Sequence, residues 1–142
     1  MELRDLVSIL PENNNEIGGM EECMDDLNRL VPDFADEIKD PAIAFEDLGD
    51  NNFFLELKRD FAKEMVTGFI SLDGMTVGCV ANRTAVYGED GSEQESFEAR
   101  LTSDGCDKAA SFIKTCDAFN IPILTLTNVE GFATTVEEEK TI

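Results

Sequence analysis

The sequence predicts an α/β domain in which a strand and a hairpin are followed by a helix and a second, parallel strand. Three observations carry this reading. Near residue 46 the apolar pattern changes from a helical period to a two-residue alternation. Two β-rich runs at 64–72 and 75–82 flank Asp73-Gly74, a strong short hairpin signal because both turn positions need positive φ. A 3.6-residue stripe over 109–119 then leads into a β-rich run at 122–128, and a short strand–helix–strand connection implies a right-handed crossover with parallel pairing.

Residues 1–45 read as a helical arm ahead of the core at 46–142. Leu3, Leu6, Val7 and Leu10 form one stripe, ended by Pro11 and "ENNNE". Met20, Cys23, Met24, Leu27, Leu30 and Val31 form a second, ended by Pro32. Both stripes are expected to dock on a core or partner. In "NFFLELK" (52–58), Phe53, Leu55 and Leu57 share a strand face. Gly68 and Gly78 interrupt the hairpin strands, so a backbone or ligand is expected to approach closely there.

Residues 83–103 are acidic and poorly periodic and are expected to form a surface loop; "GEDGSEQE" (88–95) does not follow the twelve-residue calcium pattern. Ser103 or Asp104 is the expected cap of the next helix, with Ala109, Phe112, Ile113, Cys116 and Phe119 on its buried face. Lys108, in the first turns of that helix, is expected to be solvated. Asn120 suits a left-handed C-terminal cap and Pro122 prevents continuation. The uncharged run "PILTLTN" (122–128) reads as a strand covered on both faces. The tail "VEEEKTI" reads as the first turn of a helix, its Glu137-Glu138-Glu139 run complementing the helix dipole, as though the domain continued.

Composition excludes several functions. The chain carries 31 acidic against 11 basic residues, a net charge of −20, which argues against nucleic acid or an anionic membrane as partner. It contains no histidine, so Ser-His-Asp and Cys-His catalysis cannot be assembled from it alone. Cys23, Cys79, Cys106 and Cys116 form no C-x-x-C pair; no metal is predicted, Cys79 and Cys116 read as core residues, and the reducing cytoplasm is the expected location. No apolar run approaches 18 residues.

The candidate site is the turn Asn128-Val129-Glu130-Gly131-Phe132-Ala133, which follows the last strand. In open α/β sheets, ligands collect at the carboxyl ends of strands. Two readings stand together: the turn presents backbone N–H groups to a ligand, or Gly131 supplies positive φ while Phe132 plugs the core. Glu130 is either a polar turn residue or, with burial raising its pKa, a general base.

Four stretches carry a resemblance to a known family: "VTGFISLDGMTVGCVAN" (66–82), "DKAASFIKTCDAFNIPILTL" (107–126) with "EGF" (130–132), "ILPENNNE" (9–16) and "DNNFFLELKRDFAKEMVTGF" (50–69). Together they resemble the carboxyltransferase subunits of biotin-dependent acyl-CoA carboxylases and decarboxylases. The resemblance implies a crotonase-like (ClpP/crotonase) core of ββα repeats, here the first part of the family's C-terminal half. It also implies movement of a carboxyl group between biotin, held on a separate carrier protein, and an acyl-CoA of the acetyl, propionyl or methylmalonyl kind. Backbone amides would hold the oxyanions, which suits a chain without histidine.

The resemblance implies Gly131, Phe132, Ala133 and Glu130 as biotin-pocket candidates and places the oxyanion segment beyond residue 142, so that the present chain would be inactive by itself. It also implies homo-oligomers, with a membrane partner only in the decarboxylase branch. The family's usual Asp-x-Pro-Gly-Phe stands here as Asn128-Val129-Glu130-Gly131-Phe132, which frees one N–H and adds a charge. The alternative class is a non-catalytic crotonase-like interaction module that binds a partner through residues 3–31.

Overall fold

A computed structural model describes residues 2–11, 26 and 28–133. Its main sheet has four strands: β1 (Leu55–Leu57), β2 (Met65–Leu72), β3 (Met75–Asn82) and β7 (Ile123–Leu126), in that order across the sheet. The first three are antiparallel, and β7 joins β3 in parallel with Gly78 opposite Ile123 and Ala81 opposite Leu126. The crossover is α4 (Ser103–Ala118).

The hairpin forms as its turn residues require. Asp73 (φ 50°) and Gly74 (φ 78°) both lie in the left-handed region, and β2 and β3 pair from Met65–Asn82 to Leu72–Met75. The buried carboxylate of Asp50 accepts hydrogen bonds from Asp73 N (3.1 Å) and Gly74 N (2.8 Å), fixing the turn from outside. Both strand glycines mark close approach. A Cβ on Gly68 would meet the Leu55 carbonyl and the Phe54 ring, and one on Gly78 would stand 2.7 Å from Cys116 Sγ.

Period-2 alternation sends side chains to two cores. Met65, Phe69, Val80, Phe112, Cys116 and Ile121 pack on one face, with Phe69 and Phe112 rings 5.2 Å apart. Val66, Ile70, Val77, Cys79 and Ala81 pack on the other against Phe45 of α3 (Pro41–Leu48). Helix α1 (Glu2–Ile9) docks on the first core through Leu6, Ile9 and Leu10, and Thr76 Oγ1 donates to the Ile9 carbonyl at 2.7 Å. Leu3 and Val7 of the expected stripe face solvent instead, so the docking face is turned toward Ile9. A four-residue helix, α2 (Phe34–Glu37), precedes α3, which runs across residue 45.

Helix α4 ends in a Schellman arrangement. Asn120 N donates to Asp117 O and Ile121 N to Cys116 O, with Asn120 at φ 55°, and Ile121 and Cys116 share the first core. At the other end the cap is Thr102 rather than Ser103 or Asp104: its hydroxyl accepts from Gly105 N at 3.0 Å and donates to the Glu64 carboxylate. The buried face of α4 is narrower than its apolar stripe, since Ile113 is 41% exposed.

Three further expectations are corrected. Residues 83–103 are not a structureless loop: β4 (Ala85–Tyr87) and β5 (Glu93–Ser96) form an antiparallel hairpin, and β6 (Arg100–Leu101) pairs in parallel with β8 (Gly131–Phe132). Asp90 shapes the β4–β5 turn by accepting from Ser92 N and Ser92 Oγ. Strand β7 is not covered on both faces: Leu124 and Leu126 pack inward while Ile123 and Thr125 are exposed. The helix expected over 20–31 lies largely outside the described residues, and 28–31 within it are not helical. The expected helix start at 137–139 also lies outside them. Among the described residues no helix is long and apolar enough to cross a membrane.

Candidate functional site

The 128–133 turn leaves the carboxyl end of β7 beside the carboxyl end of β3. Its entry is held by Asn82, the last residue of β3. The Asn82 carboxamide donates through Nδ2 to the Asn128 carbonyl (2.5 Å) and accepts through Oδ1 from Asn128 N (2.7 Å). Its exit is held by β6: Glu130 N donates to Ala99 O (2.7 Å) and Ala133 N to Leu101 O (2.8 Å), while Arg100 Nη1 donates to Phe132 O (3.4 Å).

The four candidate residues are thus adjacent but differently placed. The Ala133 amide is committed to Leu101. The Glu130 amide is committed as well, to Ala99 O, and the two residues between pair with β6, Gly131 opposite Arg100 and Phe132 opposite Leu101. The Phe132 ring is 54% exposed and does not plug the core. Gly131 has a positive φ of 159°, a backbone conformation that side chains rarely adopt, and nothing lies within 4 Å of where its Cβ would stand. Glu130 is exposed, without the burial that a general-base role requires.

Lys108 departs most from expectation. It is 2% exposed, and its Nζ donates to the carbonyls of Phe61 (2.7 Å), Ala62 (3.4 Å) and Met65 (2.7 Å). Burial pushes its pKa down to about 8, against the pull of Glu56. This lysine ties α4 to the β1–β2 connection. Burial also pushes the Cys79 thiol up to about 12, with Cys116 adding to it, and the Cys116 thiol up to about 11, so both are inert core groups.

A concavity of about 550 Å³ lies between α3, β1 and the β4–β5 hairpin, lined by Asp40, Glu56, Arg83 and Tyr87 among others. Its floor is internally paired. Arg83 Nε meets Asp40 Oδ1 at 2.9 Å, Arg83 Nη2 meets Glu56 Oε1 at 3.3 Å, and Asp40 Oδ2 accepts from Tyr87 N at 3.2 Å. None of the turn residues lines it.

Sequence reasoning did not single out Asn82, Arg100 or the Arg83–Asp40–Glu56 group, because their partners lie 27 to 46 residues away in the chain.

The described residues form an α/β sheet with helices on both faces and an exposed glycine turn at the carboxyl end of its parallel pair. Residues 1–141 match the carboxyl transferase domain model, and the chain belongs to that family. It is 39% identical to the propionyl-CoA carboxylase beta chain of Roseobacter denitrificans, an alignment that covers 97% of this chain and 26% of that protein. It is 34% identical to the methylmalonyl-CoA decarboxylase subunit alpha of Propionigenium modestum, over 97% of this chain and 26% of the relative. Among solved structures it superposes on transcarboxylase 12S, a hexamer with hydrolysed methylmalonyl-CoA bound, with a TM-score of 0.80, 30% identity and 98% of this chain covered. The fold is therefore crotonase-like, and the chain spans about a quarter of the length of these relatives.

Proposed function

We propose that this chain is the biotin-facing part of a carboxyltransferase that moves a carboxyl group between carrier-bound biotin and an acyl-CoA of the propionyl or methylmalonyl kind. The observation that carries the reading is the 128–133 turn: an exposed aromatic ring and an open glycine, anchored at both ends, at the carboxyl end of β3 and β7 in a member of the carboxyl transferase domain family. In this reading the turn meets the planar ureido ring of biotin's head group. The Phe132 ring offers an apolar wall, the Phe132 amide a donor for the ureido oxygen, and Gly131 leaves room beside them, with Glu130 at the rim.

Biotin, when bound, supplies the nitrogen that carries the carboxyl group. The chain's own residues hold and orient it. The absence of histidine from the chain fits a reaction in which backbone dipoles, from parts of the subunit beyond this chain, stabilise the oxyanions. The remaining parts of the reading are a partner biotin carrier protein, self-association through the exposed Ile113 and Ile123, and a cytoplasmic location. A hexamer described for transcarboxylase 12S supports the self-association.

The test is carboxyl transfer by the complete subunit that contains this chain, offered a carboxylated carrier domain and a panel of acyl-CoAs. Carrier-dependent transfer to propionyl-CoA, or from methylmalonyl-CoA in reverse, is expected. Turnover of acyl-CoA without any biotin carrier would overturn the proposal.

A further inference from the structure

We propose that Asn82 is a positioning residue for this transfer: its carboxamide fixes the entry of the 128–133 turn and thereby sets where the Phe132 ring and amide stand. The inference rests on the reading of that turn as part of the biotin pocket. Backbone pairing between β3 and β7 stops at Ala81 opposite Leu126. Beyond it the β3 chain turns away, since Arg83 N donates to Glu64 O, and Thr84 N and Ala85 N both donate to Lys39 O. The next backbone group of the departing β7 chain that bonds to β3 is Asn128, two residues past Leu126, and its partner there is a side chain.

The Asn82 side chain takes that place. It offers one acceptor to Asn128 N and one donor to Asn128 O, the same pair that a strand backbone would present. Asn82 is 6% exposed while Asn128 is exposed, so these bonds are half-shielded from water. The other end of the turn is fixed by Ala99 and Leu101. Only a carboxamide of this length serves both functions: aspartate accepts but cannot donate, and alanine does neither. The ring and amide of Phe132 therefore stand on a six-residue span, from Asn128 to Ala133, anchored at Asn128, Glu130 and Ala133.

Four variants of the complete subunit separate this role from simple folding. Asn82→Ala is expected to raise the KM for the carrier domain about tenfold while the KM for acyl-CoA stays within about twofold. Asn82→Asp, which keeps the acceptor for Asn128 N, is expected to fall between. Asp50→Ala removes the buried carboxylate that holds the far turn of the same hairpin from outside; it is expected to lower the unfolding temperature without moving the carrier KM. Gly131→Val, which fills the open space of the turn itself, is expected to raise the carrier KM.

A wild-type carrier KM in Asn82→Ala would overturn the inference, as would equal changes in both KM values. If Asn82→Ala does not fold, Asn82→Asp carries the same comparison. An effect in Gly131→Val with none in Asn82→Ala sinks this inference alone; no effect in either sinks the reading of the turn.

Discussion

Lys108 Nζ donates to the Met65 carbonyl across 2.7 Å, joining the buried side of α4 to the first residue of β2. The same ammonium holds Phe61 O and Ala62 O, so it closes the β1–β2 connection that a hydrophobic stripe alone would leave open. Lys108→Met would leave three carbonyls short of a donor and should destabilise the protein by about 2–3 kcal/mol, read from the denaturation midpoint. An unchanged midpoint would show that water satisfies those carbonyls.

The pH dependence of that difference has a defined sign. The folded pKa of Lys108, about 8, lies below its ordinary value of 10.5. Between the two the unfolded chain holds more protons than the folded one, so the lysine's share of stability rises with pH. The stability of wild type relative to Lys108→Met should therefore increase from pH 8 to pH 10.5, measured by urea unfolding at several pH values. A flat or falling difference would contradict the burial of the charged group.

The Arg83–Asp40 pair predicts a larger loss. Both side chains are 5% exposed, and Asp40 also accepts from Tyr87 N. Asp40→Ala should cost about 3–5 kcal/mol because it takes the nearer of two carboxylates from a buried guanidinium and the acceptor from Tyr87 N, whereas Asp40→Asn, which keeps an acceptor, should cost roughly 2 kcal/mol. Equal losses from the two variants would mean that packing, not the charge pair, is what Asp40 supplies.

Gly78 and Cys116 should couple. A methyl group at 78 would stand 2.7 Å from Cys116 Sγ, so Gly78→Ala should cost about 1–3 kcal/mol through overpacking. Combining it with Cys116→Ala removes the obstructing sulfur, and the double variant should lose less than the two single losses added together. Strict additivity would place the clash elsewhere.

The local rules of the chain were enough for the hairpin and for the end of α4: Asp73-Gly74, Asn120 and Pro122 each impose a backbone conformation on their own position. They were enough for the crossover as well, because a stripe over 109–119 and a β-rich run at 122–128 admit few connections. The β4–β5 hairpin was hidden because all four residues of β5 are exposed, so its pairing leaves no apolar alternation to read. Lys108 was misjudged for a different reason: its partners are backbone carbonyls 43 to 47 residues distant, which no local pattern reports. The turn at 128–133 was legible as a glycine turn after a strand. Its anchoring by Asn82 and β6, and the outward placement of Phe132, depend on tertiary contacts.

The most direct test is a titration of carboxylated carrier domain against the complete subunit with wild-type sequence and with Gly131→Val, monitored as carboxyl transfer. The account predicts a carrier KM raised about tenfold by the valine with the acyl-CoA KM unchanged. Identical carrier curves for the two proteins would contradict it, and biotin would then have to be held by some other part of the subunit.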